Sequence, residues 1–235
     1  MLRIVVLSVL FSLLTACGGG GGGGGGSTPS NGGPSNKSAA GVWDNSEQGA
    51  NFQLITLIDE RSHALLYIPD APLMLQCPLK IDGSRFTCTP TSKYSVAGTI
   101  SEKRSLKGTI SEEGTVIYNF ELTYHEFSDT EVSIDELEGF WEQSVSVTET
   151  IQIKTDGEIS GSDNTGCIVN GEIEYISPNV NVQSIRLRYS NCDREGQYYG
   201  KSIYLVNPNS VNDPSGWLVF TSSNELIYEA FYLEQ

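Results

Sequence analysis

Histidine is nearly absent from this 235-residue chain; only His63 and His125 occur. Neither stands at the spacing of a metal site or a catalytic triad. The chain also lacks a Gly-x-Ser-x-Gly elbow, a glycine-rich phosphate loop and a His-Glu-x-x-His helix. The usual bearers of hydrolytic, phosphoryl-transfer and zinc chemistry are thus missing, so the expectation is a protein that is not an enzyme and has no cofactor or metal. Ser162-Asp163-Asn164-Thr165-Gly166 offers oxygen ligands but lacks the alternating acids and distant glutamate of a calcium loop, and it reads as a β-turn before Cys167. Basic residues are scarce as well. Fourteen lysines and arginines face 29 acids, a net charge of −15, which repels nucleic acid and anionic headgroups and favours a basic protein partner. Long apolar runs are missing too. Ile4 to Ala16 spans thirteen residues, short of the roughly 20 that a membrane-spanning helix needs.

That short run carries information of another kind. Arg3 precedes it and small residues close it, in the order of an export signal. It ends in Leu14-Thr15-Ala16-Cys17, followed at once by the glycines Gly18 to Gly26. Leu14-Thr15-Ala16-Cys17 resembles the lipobox of bacterial lipoproteins. The resemblance implies cleavage between Ala16 and Cys17, loss of the signal peptide 1–16, and a diacylglycerol thioether and palmitate-type chains on Cys17. Each buried CH₂ of such chains contributes about 0.8 kcal/mol to anchoring. Gly18, where retained inner-membrane lipoproteins of enteric bacteria carry aspartate, implies the outer membrane, with the body facing the periplasm or the cell surface. Residues 17–40 are Gly-, Ser-, Pro- and Asn-rich with Lys37 as their single charge, so they are expected to form a disordered tether. A flexible coil of that length has an end-to-end distance of roughly 25–30 Å. The glycine tract is also similar to the anchors of surface-exposed lipoproteins such as transferrin-binding and factor H-binding proteins.

Cysteine number agrees with an exported protein. Lipidation of Cys17 leaves an even four, Cys77, Cys88, Cys167 and Cys192, in a compartment where disulfides persist. Three pairings are open. The expected one is local, Cys77–Cys88 and Cys167–Cys192, with one bridge in each half. A zinc site is disfavoured because no cysteine has a partner at two-residue spacing.

From Gly41 onward the pattern is β throughout, with β-branched or aromatic runs separated by turn residues. Asn51–Ile58, His63–Ile68, Arg85–Cys88, Tyr94–Ile100 and Thr115–Tyr124 read as strands of a first lobe, 41–130. Gly98-Thr99-Ile100-Ser101-Glu102 recurs as Gly108-Thr109-Ile110-Ser111-Glu112, the period of a hairpin. Strands over 148–154, 167–176, 183–189, 197–206, 216–221 and 226–233 make a second lobe, 131–235. Gly41-Val42-Trp43-Asp44-Asn45-Ser46 is echoed by Gly139-Phe140-Trp141-Glu142-Gln143-Ser144. The expected fold class is therefore all-β, two small antiparallel barrel or sandwich lobes built from a duplicated unit. Ser133-Ile134-Asp135-Glu136 reads as a capping box opening one helical turn before Gly139. A helical turn leading into Gly-x-Trp resembles the start of lipocalin barrels, which implies that the tryptophan closes one barrel end.

Two features are candidates for binding a partner. Between Lys107 and Lys154 the sequence holds eleven acids and no lysine or arginine; Glu131, Asp135, Glu136 and Glu138 at the lobe junction are the residues expected to face a cationic protein. The second is the polar loop Asn207–Gly216, represented by Asn212 and the adjoining Trp217. The leading functional expectation is a non-catalytic binding or structural module on an envelope lipoprotein. Alternatives are an acidic inhibitor or immunity-type protein against a basic exported toxin, and a lipocalin-like carrier of a small ligand.

Overall fold

Short runs rich in Val, Ile, Tyr and Phe become strands here because each is bounded by residues that suit a turn. The computed structural model describes residues 37–45, 53–71, 73–143, 148–205, 216–223 and 226–234, with Ser223 and 226–234 described by backbone alone. The expected signal peptide, Cys17, most of the expected tether and Asn212 lie outside the described residues.

The chain is nearly all β and forms two lobes. The first contains β1 (Gly41–Asp44), β2 (Ile55–Ile58), β3 (His63–Ile68), β4 (Leu73–Pro78), β5 (Lys80–Asp82), β6 (Arg85–Cys88), β7 (Tyr94–Ser101), β8 (Ser105–Glu112) and β9 (Thr115–Tyr124). They form one antiparallel sheet in the order β4-β3-β2-β1-β9-β8-β7-β6-β5. Its end strands, β4 and β5, follow one another in the chain. Pro78 has no N–H to extend the ladder, and the next amide, Leu79 N–H, turns to the carbonyl of Ser62 at 2.8 Å. The two matched pentapeptides face each other across a hairpin, with Gly98 opposite Gly108.

A 3-10 turn (Glu126–Asp129) and a single helical turn, α1 (Ile134–Leu137), join the lobes. The capping box is formed, because Ser133 N–H donates to Glu136 Oε2 at 2.7 Å. The second lobe contains β10 (Gly139–Gln143), β11 (Glu149–Ile153), β12 (Glu158–Asp163), β13 (Ile168–Ile176), β14 (Gln183–Ser190), β15 (Gly196–Leu205), β16 (Gly216–Ser223) and β17 (Leu226–Glu234). These close into an eight-stranded antiparallel barrel, β10 pairing with both β11 and β17.

If β4 and β5 are counted as one strand broken at Leu79, the first lobe runs in the same order. In each lobe the first strand pairs with the second and the last. Trp43 and Trp141 are both buried, and their indole Nε1–H groups donate to the carbonyls four residues back, Ala39 at 2.8 Å and Leu137 at 2.9 Å. Gly41 and Gly139 have φ of 136° and 141°, a region L side chains rarely adopt, so the glycine of each Gly-x-Trp is required by the backbone. Cys77–Cys88 links β4 to β6, and Cys167–Cys192 links the residue before β13 to the turn after β14, with Cα separations of 5.9 and 5.0 Å.

Each lobe has its own interior core. A third apolar cluster lies between them, where outward-facing Leu57, Leu65 and Tyr67 of lobe 1 meet Val182, Ile203 and Phe220 of lobe 2. Tyr67 and Phe220 have ring centroids 5.5 Å apart. Fully burying side chains of this size contributes about 1.5–3 kcal/mol each, so the lobes are held together largely by this contact.

Candidate binding groove between the lobes

The β2–β3 turn positions the polar counterpart of that apolar contact. Asp59 N–H donates to the His63 carbonyl at 3.1 Å, and Asp59 Oδ1 accepts the His63 N–H at 2.8 Å. One carboxylate oxygen thus fastens the turn. The other, Oδ2, reaches the second lobe and accepts from Lys201 Nζ at 2.9 Å, Arg61 Nη2 at 3.2 Å and Ser184 Oγ at 3.3 Å. Ser184 and Lys201 stand directly opposite on β14 and β15. Ser184 Oγ in turn accepts from Lys201 Nζ and Arg61 Nη2, both at 3.0 Å. With its proton directed to Asp59 and its lone pairs taken by two cations, this hydroxyl is a structural ligand and not an activated nucleophile.

Asp59 is fully buried and the Lys201 side chain is only 5% exposed. Burial is the largest influence on both groups. Against it, Lys201, the His63 N–H and Arg61 together hold the Asp59 carboxyl below the ordinary aspartate range. Burial lowers the Lys201 ammonium pKa, against the attraction of Asp59 and a weaker one from Glu174, while Arg61 repels it. Two cations share one carboxylate.

A cavity of about 380 Å³ opens over this cluster, lined by His63, Gln76 and Pro78 from one lobe and by Glu174, Tyr199 and Lys201 from the other. Gln76 Nε2 spans the lobes, donating to the Tyr199 carbonyl at 2.8 Å and to Ser222 Oγ at 3.0 Å. The β13–β14 ladder shifts register between Ile173 and Tyr175, leaving Glu174 as the extra residue. Bulges re-aim side chains, and this one brings Glu174 to the groove while Tyr175 lies 3.8 Å beneath the Arg61 guanidinium. Glu174 is held by Arg186 Nε at 3.1 Å.

The sequence-predicted binding residues lie elsewhere. Glu131, Asp135 and Glu138 are exposed at the junction. Glu136 is exposed but its carboxylate is engaged in capping Ser133, which lowers its pKa. Cations from outside the acidic stretch or at its edge reach four of its acids, none of them a predicted junction residue. Lys93 pairs with Glu112 at 2.6 Å, Lys103 with Asp129 and Lys107 with Glu121, each at 2.7 Å, and Arg194 with Glu149, which is buried. Trp217 is corrected as a partner-binding candidate. It is fully buried in the lobe 2 core, its ring centroid 6.0 Å from that of Trp141, and cannot face a partner. His125 Nε2 lies 2.7 Å from Asp44 Oδ2 and its ring stacks on Phe127.

The turn before Cys167 is stapled by Asp163 Oδ1, which accepts from Thr165 N–H at 2.8 Å and Cys167 N–H at 3.0 Å, while Asp163 Oδ2 accepts from Arg194 at 3.1 Å. Its carboxylate is thus spent on the turn. Among the described residues no group of three or more His, Cys, Asp or Glu is placed to hold a metal, and no helix is long and apolar enough to cross a membrane.

The groove residues Asp59, Arg61, Gln76, Ser184 and Lys201 were not singled out from the sequence. A signal for them existed, since Lys201 shares the outer face of β15 with Ile203 and Leu205, and an apolar outer face marks a covered surface. No family model, no curated protein and no solved structure matches this chain.

Proposed function

We propose that this chain is a lipid-anchored lipoprotein of the bacterial outer membrane whose paired β lobes act as a non-catalytic binding module. Leu14-Thr15-Ala16-Cys17 with its glycine tract supports the anchor. The observation that carries the module reading is the way the lobes are filled. Trp141, Trp217, Tyr189, Tyr198 and Val219 pack the interior of the second, and Trp43, Leu54, Ile58 and Phe120 that of the first. Such packing favours surface recognition over carriage inside a barrel, and it leaves the groove between the lobes as the concave polar surface at hand.

Fractionation and mass spectrometry test the anchor. The mature protein is expected in the outer membrane, beginning at a lipidated Cys17, and Cys17→Ser should release it as an unlipidated precursor. An intact N-terminus on the native chain would overturn the anchor. Crosslinking pull-down from envelope extracts tests the module; a single-step enzymatic activity in the purified chain with no bound partner would overturn it. The inhibitor reading retains one supporting observation, the outward-facing Glu131, Asp135 and Glu138.

A further inference from the structure

We propose that the interlobe groove binds a small organic carboxylate bearing hydroxyl or amino groups at its far end, with the carboxylate taken by Arg61 and Lys201. The assignment rests on reading the paired lobes as a binding module, and is independent of the lipid anchor.

Hydrogen-bond accounting identifies the ligand's charged end. Lys201 has three ammonium hydrogens, of which Asp59 and Ser184 take two. Arg61 has five, and Asp59 and Ser184 are served by its Nη2 pair. Among the described residues one hydrogen on Lys201 and three on Arg61 have no acceptor. Asp59 is the one carboxylate hydrogen-bonded to both cations; Glu174, held by Arg186, adds a weaker attraction to Lys201. A surplus of cationic donors beside a cavity, in a chain with 29 acids against 14 basic residues, is the complement of an anionic oxygen pair. A guanidinium with free N–H groups takes carboxylate in two parallel hydrogen bonds.

Two other lining groups have the reverse character. Glu174 brings a carboxylate, and Gln76, both of whose amide hydrogens are used, is left with its Oε1 as an acceptor. These groups suit hydroxyl or ammonium donors and disfavour a second anionic centre. The Tyr199 ring, 48% exposed on the groove wall, offers a face on which a sugar or other flat body can stack. A cavity of about 380 Å³ lies near the lower end for small-molecule sites, so the occupant is a single ring or its equivalent and not a folded chain. A sugar acid satisfies all of these requirements.

The test is calorimetric titration of the full chain in detergent with glucuronate, glucose and inorganic phosphate. Glucuronate is expected to bind and glucose to bind at least tenfold more weakly, because it lacks the carboxylate. Phosphate is also expected to bind more weakly than glucuronate, because it leaves Tyr199 and Glu174 unused. Arg61→Gln should weaken glucuronate at least tenfold. Tyr199→Ala, at an exposed position that does not support the fold, should weaken it severalfold and serves if Arg61→Gln disturbs folding. Failure of glucuronate to bind, equal binding of glucose, tighter binding of phosphate, or affinity unchanged in both variants would each overturn the assignment. None of these results bears on whether the envelope pull-down recovers a partner, so the module reading stands or falls separately.

Discussion

Replacing Asp59 by alanine should loosen the joint between the lobes more than any other single polar change. The side chain is fully buried and accepts from Lys201, Arg61, Ser184 and the His63 amide. Its loss leaves the buried Lys201 ammonium with Ser184 as its only hydrogen-bond acceptor. Breaking a buried pair in this way costs about 3–5 kcal/mol, most of it the penalty of an uncompensated buried charge. At roughly 2–4 °C per kcal/mol for a body of this size, melting should fall by about 6–20 °C. Asp59→Asn combined with Lys201→Met removes both charges and keeps an acceptor for the His63 amide, and it should recover most of the loss. Urea unfolding of Asp59→Asn, Lys201→Met and the double variant gives the coupling energy. A loss under about 1 kcal/mol in Asp59→Ala, or no coupling between the positions, would refute the claim that this pair secures the joint.

The same pair sets a pH dependence whose sign follows from the direction of the Asp59 shift. The folded carboxyl titrates below the unfolded value of 3.8, so the unfolded chain binds its proton first as pH falls. The stability Asp59 contributes is complete above the unfolded value and disappears as pH drops through the lower folded one. Acid unfolding of the wild type should therefore contain a component that Asp59→Asn lacks.

Three further outcomes are expected. Replacing Cys77 and Cys88 by serine should destabilise the first lobe by about 3 kcal/mol, and the longer Cys167–Cys192 loop should contribute slightly more, about 3.5 kcal/mol on loop-closure grounds, measured by urea unfolding of the oxidised and serine forms. Glu136→Lys should be the destabilising member of the acidic junction set, by about 0.5–2 kcal/mol because it removes the cap of Ser133, whereas Glu131→Lys and Glu138→Lys should leave urea midpoints nearly unchanged. Reversing Glu131, Asp135 and Glu138 together should slow association with a basic partner recovered from the envelope, in a manner that fades between 0.1 M and 1 M salt as the Debye length falls from about 10 to 3 Å; association indifferent to both changes would leave the junction without a steering role.

Strand positions were legible because period and punctuation are local. His63–Ile68, Arg85–Cys88 and Thr115–Tyr124 are strands over the residues that the pattern marks. β4, β5 and β12 were passed over, since Leu73–Pro78 ends in proline, Lys80–Asp82 is three residues long, and Glu158–Asp163 alternates serine and glycine with one isoleucine. The Gly-x-Trp echo was legible because it depends on backbone geometry at one glycine and one buried ring in each lobe. The groove was not. Asp59 and Lys201 lie 142 positions apart, and each alone reads as an ordinary surface charge. What the sequence does carry is indirect: Ala64 to Ile68 is apolar on both faces of its strand, and a strand covered on both sides must have a second neighbour. That neighbour is the other lobe. The counter-ions of Glu112, Asp129, Glu121 and Glu149 were hidden for the same reason, because Lys93, Lys103, Lys107 and Arg194 come from outside or from the edge of the window in which the acidic stretch was read.

The differences between the two lobes gather at the place where they meet. In lobe 1 the β2–β3 turn carries Asp59 and Arg61 and crosses to the neighbour; in lobe 2 the corresponding β11–β12 turn is exposed, with Lys154 and Glu158 paired 2.6 Å apart in solvent. The fourth strand is interrupted in both, but in different ways. In lobe 1 it breaks after Pro78, which with Gln76 lines the groove, and in lobe 2 it bulges at Glu174, which lines the opposite wall. Packing alone does not ask for either irregularity, since a continuous strand would satisfy more of the ladder. Nor does the apolar contact of Tyr67 with Phe220 require a buried lysine beside it, and replacing such a pair with hydrophobic side chains is often neutral or stabilising. Two broken strands and a buried ion cluster assembled from both lobes cost more to fold than a continuous ladder and an apolar seam would. Their convergence on one cavity is what the proposed binding site at the seam would require, and neither lobe's filled interior offers an equivalent.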